Sequence, residues 1–255
     1  MDVLSAIILA VVEGLTEFLP VSSTGHIILA AVLLNVQQTE FVKSFEIALE
    51  FGSILSVVVL YWRLFLDPEV LKRLVVAFIP TGIVGLALYR VFKEFLLGNE
   101  QIVLWALLVG GIFLILFELR YRVRSDIDSL SKIPYKHCLL IGVFQSISIV
   151  PGVSRSAPTI MAGLALGMKR ETIVMFSFLL AVPTMIAASG FDLLMSFGQF
   201  DASQFSLLAV GFVASFLVAL PAIKLFLGYV KKNNFIPFGV YRIIVVVVFF
   251  LFVIM

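Results

Sequence analysis

Charge is scarce in this 255-residue chain: Lys, Arg, Asp and Glu together make up 13% and nearly cancel, leaving a formal +2. No basic face exists for a nucleic-acid backbone, so that class of partner is excluded. Cysteine is almost absent; the lone Cys138 cannot close an intrachain disulfide, and the redox compartment stays open. Also missing is a short signal peptide ahead of a polar mature region. What fills the chain instead is apolar. Hydrophobic residues account for 62%, against roughly 45–50% in globular chains, which excludes an ordinary soluble enzyme. At roughly 20 residues per crossing, that content caps the chain at about eight spanning or half-spanning segments, as in a polytopic membrane protein.

The apolar stretches run over 3–19, 26–34, 45–62, 74–97, 101–119, 138–150, 158–168, 171–190, 205–230 and 235–255. Of these, 26–34, 138–150 and 158–168 are too short to cross, and each joins a neighbour through a loop rich in Pro, Ser and Gly. Such pairs predict re-entrant hairpins, tolerated only where protein or a watery cavity surrounds the broken backbone. A repeat also shows at a constant offset. Pro20-Val-Ser-Ser23 matches Pro151-Gly-Val-Ser154, 131 residues on, and Phe45/Phe176, Lys93/Lys224 and Phe95/Phe226 keep the same offset. The chain is therefore expected to be one membrane domain, 1–255, built from repeats over about 1–124 and 132–255.

Charge placement orients the repeats, because Lys and Arg collect in short cytoplasmic loops. The 120–136 loop carries Arg120, Arg122, Arg124, Lys132 and Lys136; Lys72-Arg73, Lys169-Arg170 and Lys231-Lys232 mark three more, whereas 191–204 has Asp192 and Asp201 and no Lys or Arg. With the basic loops inside, the hairpin 138–168 returns to the cytoplasm and the hairpin 3–34 lies on the outer side. Arg90 and Lys93 near an outer end count against this path, although long side chains snorkel. The expected fold is all-α: a polytopic integral membrane protein, an inverted-topology repeat with two re-entrant helical hairpins and about six transmembrane helices. Binding sites in such proteins lie where the two breaks converge.

The chemistry-bearing residues sit at those breaks. Glu13 and Glu17, four apart and so about 40° apart on a helix, share one face before Pro20 ends the segment. On a wetted face such a pair is unremarkable, but among apolar neighbours it is costly and points to function. Two carboxylates suit Mg²⁺ or Ca²⁺ shared with substrate phosphates better than zinc. Ser22, Ser23 and Thr24 then open a second helix, whose capped N-terminus points amide groups at any anion. These hydroxyls offer a nucleophile, and His26 a general base, a general acid or an attacking group itself; a lone histidine of this kind is otherwise a structural one. On the second break, Ser154, Arg155 and Ser156 place a guanidinium where phosphate oxygens are its best partner, the alternative being a surface-loop arginine. Glu46 and Glu50 form another acidic pair, for which function and plain hydration stay open. Asp126 and Asp128 read as solvated, and His137 beside Cys138 as interfacial and without a role.

Glu13-Gly-Leu-Thr-Glu17, Phe18-Leu-Pro-Val-Ser-Ser-Thr-Gly-His26 and Pro151-Gly-Val-Ser-Arg-Ser156 with Thr159 resemble the two motifs of the undecaprenyl-diphosphatase family, the bacitracin-resistance type of membrane phosphatase. The likeness extends through Phe45–Arg63, Val109-Gly-Gly111, Phe176–Pro183 and Phe235–Arg242. It implies hydrolysis of undecaprenyl diphosphate to undecaprenyl phosphate and phosphate, which recycles the lipid carrier for peptidoglycan. It further implies a divalent metal, Mg²⁺ or Ca²⁺, on Glu13 and Glu17, and a phosphate site of Ser22, Ser23, Thr24, His26, Ser154, Arg155 and Ser156. Ser23 is expected to attack with His26 assisting, direct attack by His26 being the alternative. The implied partners are the polyprenyl diphosphate and the bilayer of the bacterial plasma (inner) membrane, with the active site on the outer (periplasmic) side and a homodimer left open. Ala157 departs from the family's usual Gly, and Glu50 from its usual Gln. A secondary transporter or lipid flippase would share the architecture, but has little use for Ser23 and His26 in one hairpin.

Overall fold

The computed structural model describes residues 1–91, 100–121, 126–196 and 202–251; the side chains of 89–91, 189, 191–196 and 202–203 are not among those described. Among these residues ten α-helices follow in order: α1 (Val3–Thr16), α2 (Ser23–Leu33), α3 (Glu40–Phe65), α4 (Pro68–Val91), α5 (Glu100–Arg120), α6 (Tyr135–Gln145), α7 (Ser156–Ala165), α8 (Arg170–Ser196), α9 (Ala202–Val230) and α10 (Ile236–Phe249). Among the described residues the only β pairing is an isolated bridge between Ile127 and Met168. Among the described residues five helices, α3, α4, α5, α8 and α9, are long and apolar enough to cross a membrane. A sixth crossing expected over 235–255 corresponds to α10, whose described part is 14 residues; residues 252–255 lie outside the described ones. The chain is an all-α polytopic membrane protein.

Three of the short helices, α2, α6 and α7, answer to the stretches too short to cross; α1 falls within the longer stretch 3–19. α1, α2, α6 and α7 have 14, 11, 11 and 10 residues, none enough to cross alone. Each pair runs helix, break, helix, its two members in contact, and each packs against long helices: α1 on α3 and α9, α6 on α4, α7 on α8. The approach of α6 to α4 is close enough to require glycine, since a Cβ at Gly142 would lie 2.0 Å from the Ala77 carbonyl oxygen. Beside it, the fully buried Gln145 donates to Thr81 Oγ1 (3.1 Å) and Thr184 Oγ1 (3.0 Å) and accepts from Thr159 Oγ1 (3.4 Å), joining α4, α6, α7 and α8. Every polar group of that amide is engaged at one end or both, as burial in a membrane interior requires. The main apolar core gathers around Phe18, Phe176, Phe178, Phe226 and Phe235, with Phe18 edge-on to Phe178 at 5.2 Å.

Several charges used to orient the repeats fall outside the described residues: Arg122, Arg124, Lys93 and Asp201, and the side chains of Arg90 and Asp192. The repeat pairs Lys93/Lys224 and Phe95/Phe226 are incomplete for the same reason. Cys138 is fully buried, and Asp128 pairs with Lys169 at 3.4 Å on the exposed surface.

Candidate active site

Both breaks turn on a serine in the left-handed region. Ser22 has φ 72° and Ser154 φ 77°, conformations that cost roughly 1–3 kcal/mol each for a side-chain-bearing residue and cluster at functional sites. Each hydroxyl is used: Ser22 Oγ accepts from the Gly25 amide (3.3 Å), capping α2, and Ser154 Oγ lies 3.1 Å from Ser156 Oγ. Ser156 itself donates to the Leu19 carbonyl (3.0 Å), so the proton between the two serines comes from Ser154. The matched conformations are 132 residues apart, one more than the 131 of the sequence match, because the second break carries an extra turn residue. That residue is Gly152, at φ 92°, where a Cβ would lie 2.6 Å from the Val103 carbonyl oxygen.

The breaks meet on Glu17. Its carboxylate accepts the Ser23 hydroxyl through one oxygen, and through the other receives Arg155 Nη2 at 2.5 Å. The Glu17 and Arg155 side chains are 5% and 12% exposed, so the pair is largely withdrawn from water and tightly coupled. One turn earlier Glu13 is fully buried, and neither of its carboxylate oxygens has a hydrogen-bond partner among the described residues. Arg155 Nη1 is buried and unpartnered in the same sense. Leaving such atoms unsatisfied is expensive. A cation beside Glu13 and an anion beside Arg155 would satisfy both.

His26 is placed differently from the expectation of a base against Ser23. Its Nδ1 lies 2.7 Å from the Ser22 carbonyl, which can only accept, so Nδ1 carries a proton; in the neutral imidazole Nε2 then accepts from the Tyr241 hydroxyl, 2.9 Å away. The two rings stack, centroids 5.4 Å apart. Thr24 is exposed. Ala157 is buried at the start of α7, while Glu46 accepts from Gln38 (3.2 Å) and Glu50 is half-buried on α3. Sequence reasoning missed Tyr241 and Arg242. A signal existed for the second: an arginine inside the apolar stretch 235–255 is an intramembrane charge like the others, and it is fully buried.

An apolar groove of about 860 Å³ runs along α5 from Ile102 to Phe117, walled opposite by Phe144, Met161 and Ala165. Fifteen helical steps from Ile102 to Phe117 make it about 22 Å long, most of a hydrocarbon layer of about 30 Å. Val153 and Ala157 belong to its inner wall, so the turn that carries Arg155 on one side faces the groove with its other.

The family model described as "Bacitracin resistance protein BacA" matches residues 6–248. Over 252 residues the chain is 51% identical to the undecaprenyl-diphosphatase of Sulfurihydrogenibium sp. (strain YO3AOP1), covering 98% of this chain and 99% of that relative. Identity to the undecaprenyl-diphosphatase of Persephonella marina is 50% over 255 residues, 99% and 100% of the two chains, and to that of Aquifex aeolicus 48% over 251 residues, 97% and 98%. With both motifs brought together at Glu17 and the match running nearly end to end, the chain belongs to the bacitracin resistance protein BacA family.

Proposed function

We propose that the protein is a membrane hydrolase that converts undecaprenyl diphosphate to undecaprenyl phosphate and inorganic phosphate, returning the lipid carrier to peptidoglycan synthesis. The names of the relatives support the substrate; the position of Glu17 supports the chemistry. One carboxylate holds the hydroxyl that would attack and the guanidinium that would receive the phosphoryl group. A transporter or flippase needs charges at the crossing, but nothing in carriage requires a serine hydroxyl bonded to that carboxylate.

Glu13 and Glu17 would hold a divalent cation, Mg²⁺ or Ca²⁺. The fit rests on Glu13, whose two buried oxygens are without a partner among the described residues, and on a donor set of oxygens, which hard cations prefer. No third His, Cys, Asp or Glu completes a cluster among the described residues, so substrate oxygens and water would fill the rest of the shell. When bound, the ion supplies neutralisation of the diphosphate charge. Ser23 Oγ attacks the terminal phosphorus and passes its proton to Glu17. The Oγ–P bond forms as the bond from phosphorus to the bridging oxygen breaks, releasing the lipid monophosphate, while Arg155 Nη1 meets an oxygen of the transferred group. Water then attacks the phosphoserine and the Oγ–P bond breaks; Ser23 leaves and takes back the proton from Glu17, and both protons of the water depart with the phosphate as dihydrogen phosphate. Direct attack by His26 would need Nε2 to give up Tyr241, which favours Ser23.

The polyprenyl tail lies in the groove along α5, whose inner wall is the Arg155 turn. Ala165→Trp, at an exposed position on the opposite wall, is expected to raise KM for a long polyprenyl diphosphate about tenfold and leave farnesyl diphosphate unchanged; equal KM values for variant and wild type on both substrates contradict this placement. The site faces the outer side of the bacterial plasma membrane, which reporter fusions at 120–136 and 191–204 test by falling on opposite sides. The function itself is tested by phosphate release from a polyprenyl diphosphate in detergent: release that stops with EDTA and returns with Mg²⁺ or Ca²⁺ is expected, and no release, or release indifferent to chelation, refutes the reading or its metal.

A further inference from the structure

Among the described residues Arg242, on α10, is the largest fully buried side chain. No carboxylate pairs with it among those residues. Instead each of its five N–H groups meets a main-chain carbonyl. Nε donates to Leu107 (3.2 Å), Nη1 to Pro20 (3.5 Å) and Val153 (3.1 Å), and Nη2 to Ala106 (3.0 Å) and Gly152 (2.7 Å). Those carbonyls belong to three separate segments: α5, the first break and the second break. An unpaired buried cation is costly, and an apolar side chain of similar volume would fill the space at less expense. What an apolar residue cannot supply is a planar fork with five directed donors.

Pro20 precedes Ser23 by three residues, and Val153 precedes Arg155 by two. Gripping both carbonyls with one rigid group fixes the first break against the second, and with it the distance from the attacking hydroxyl to the group that receives the phosphoryl oxygen. Glu17 also ties Ser23 to Arg155, but through flexible side chains and in the space the substrate must enter. Arg242 ties the backbones from the groove side, where it is part of the lining, with no N–H left over for a ligand. We propose that Arg242 is a positioning residue for phosphoryl transfer, setting the register of the two breaks without touching the reacting phosphates; this rests on the phosphatase reading above. Misplacement of reacting groups by about 1 Å costs on the order of 10²-fold in rate, so the effect belongs in kcat.

Two variants test it. Arg242→Lys keeps the charge and loses the fork. Gly110→Ala leaves Arg242 in place but sets a Cβ 2.4 Å from its Nη2 and 2.8 Å from its Cζ, forcing the guanidinium to shift. Steady-state phosphate release is measured with the unfolding midpoint in detergent, so that rates are expressed per folded enzyme. Both variants are expected to lower kcat about 10²-fold with KM held within about threefold. A kcat per folded enzyme equal to wild type, with only the midpoint lowered, overturns the proposal in favour of a purely structural role. A raised KM at unchanged kcat overturns it in favour of substrate contact. Should Arg242→Lys fail to fold, Gly110→Ala decides by the same criteria. Wild-type protein silent on polyprenyl diphosphate sinks the phosphatase reading and this proposal together, whereas an active wild type with indifferent variants sinks only the latter.

Discussion

Glu17→Gln is expected to lower kcat for phosphate release by roughly 10³- to 10⁴-fold, near the full value of a positioned general base. Gln preserves the shape of the side chain and an oxygen for the Ser23 hydroxyl, but it takes no proton and offers Arg155 no charge. Ala would be a poorer probe. Besides the charge it removes both acceptor oxygens, leaving the Arg155 guanidinium and the Ser23 hydroxyl largely buried with no partner at all, a defect of a few kcal/mol that mixes folding with chemistry. With Gln, the unfolding midpoint in detergent reports how much of the loss is structural, and kcat per folded enzyme reports the rest. Activity above about a tenth of wild type would remove Glu17 from the proton transfer.

Arg155→Lys comes second, with an expected loss on the order of 10³-fold in kcat/KM, at the lower end of what transition-state arginines contribute to phosphoryl transfer. The guanidinium has two jobs at once: Nη2 is bound to Glu17 and Nη1 is left for a ligand. Lys concentrates its charge on one nitrogen and can serve either Glu17 or the phosphoryl oxygen, not both in one plane. The comparison is made on wild type and variant in the same detergent and metal concentration, because screening and metal occupancy both change the apparent KM. Retention of wild-type kcat/KM by Lys would mean that a point charge suffices and that the bidentate geometry is incidental.

Much of this was legible in the amino-acid order, for reasons of length and spacing. α2, α6 and α7 are visible as apolar stretches too short for a bilayer, and Pro20 and Pro151 mark where each hairpin is interrupted. Glu13 and Glu17 are legible because four residues on a helix return to the same face. Partnership was not. Ser23 meets Glu17 rather than His26 because the turn through Pro20 folds the chain back on itself, so that residues six apart touch, while His26 one turn into α2 is drawn away to Tyr241, 215 residues distant. The grip of Arg242 on Pro20 and Val153 spans 222 and 89 residues, and no local pattern encodes it. The offset of 131 likewise follows identical residues, whereas the left-handed serines follow backbone geometry, and the extra residue at Gly152 separates the two by one.

The central claim is that Ser23, bonded to Glu17 where the two breaks cross, takes the phosphoryl group. Wild-type enzyme turning over a polyprenyl diphosphate labelled in its terminal phosphate, quenched in acid and mapped by mass spectrometry, tests it directly. A phosphate that survives the acid and maps to Ser23 is the expected result; an acid-labile label, or one on His26 with Ser23 unmodified, would contradict it.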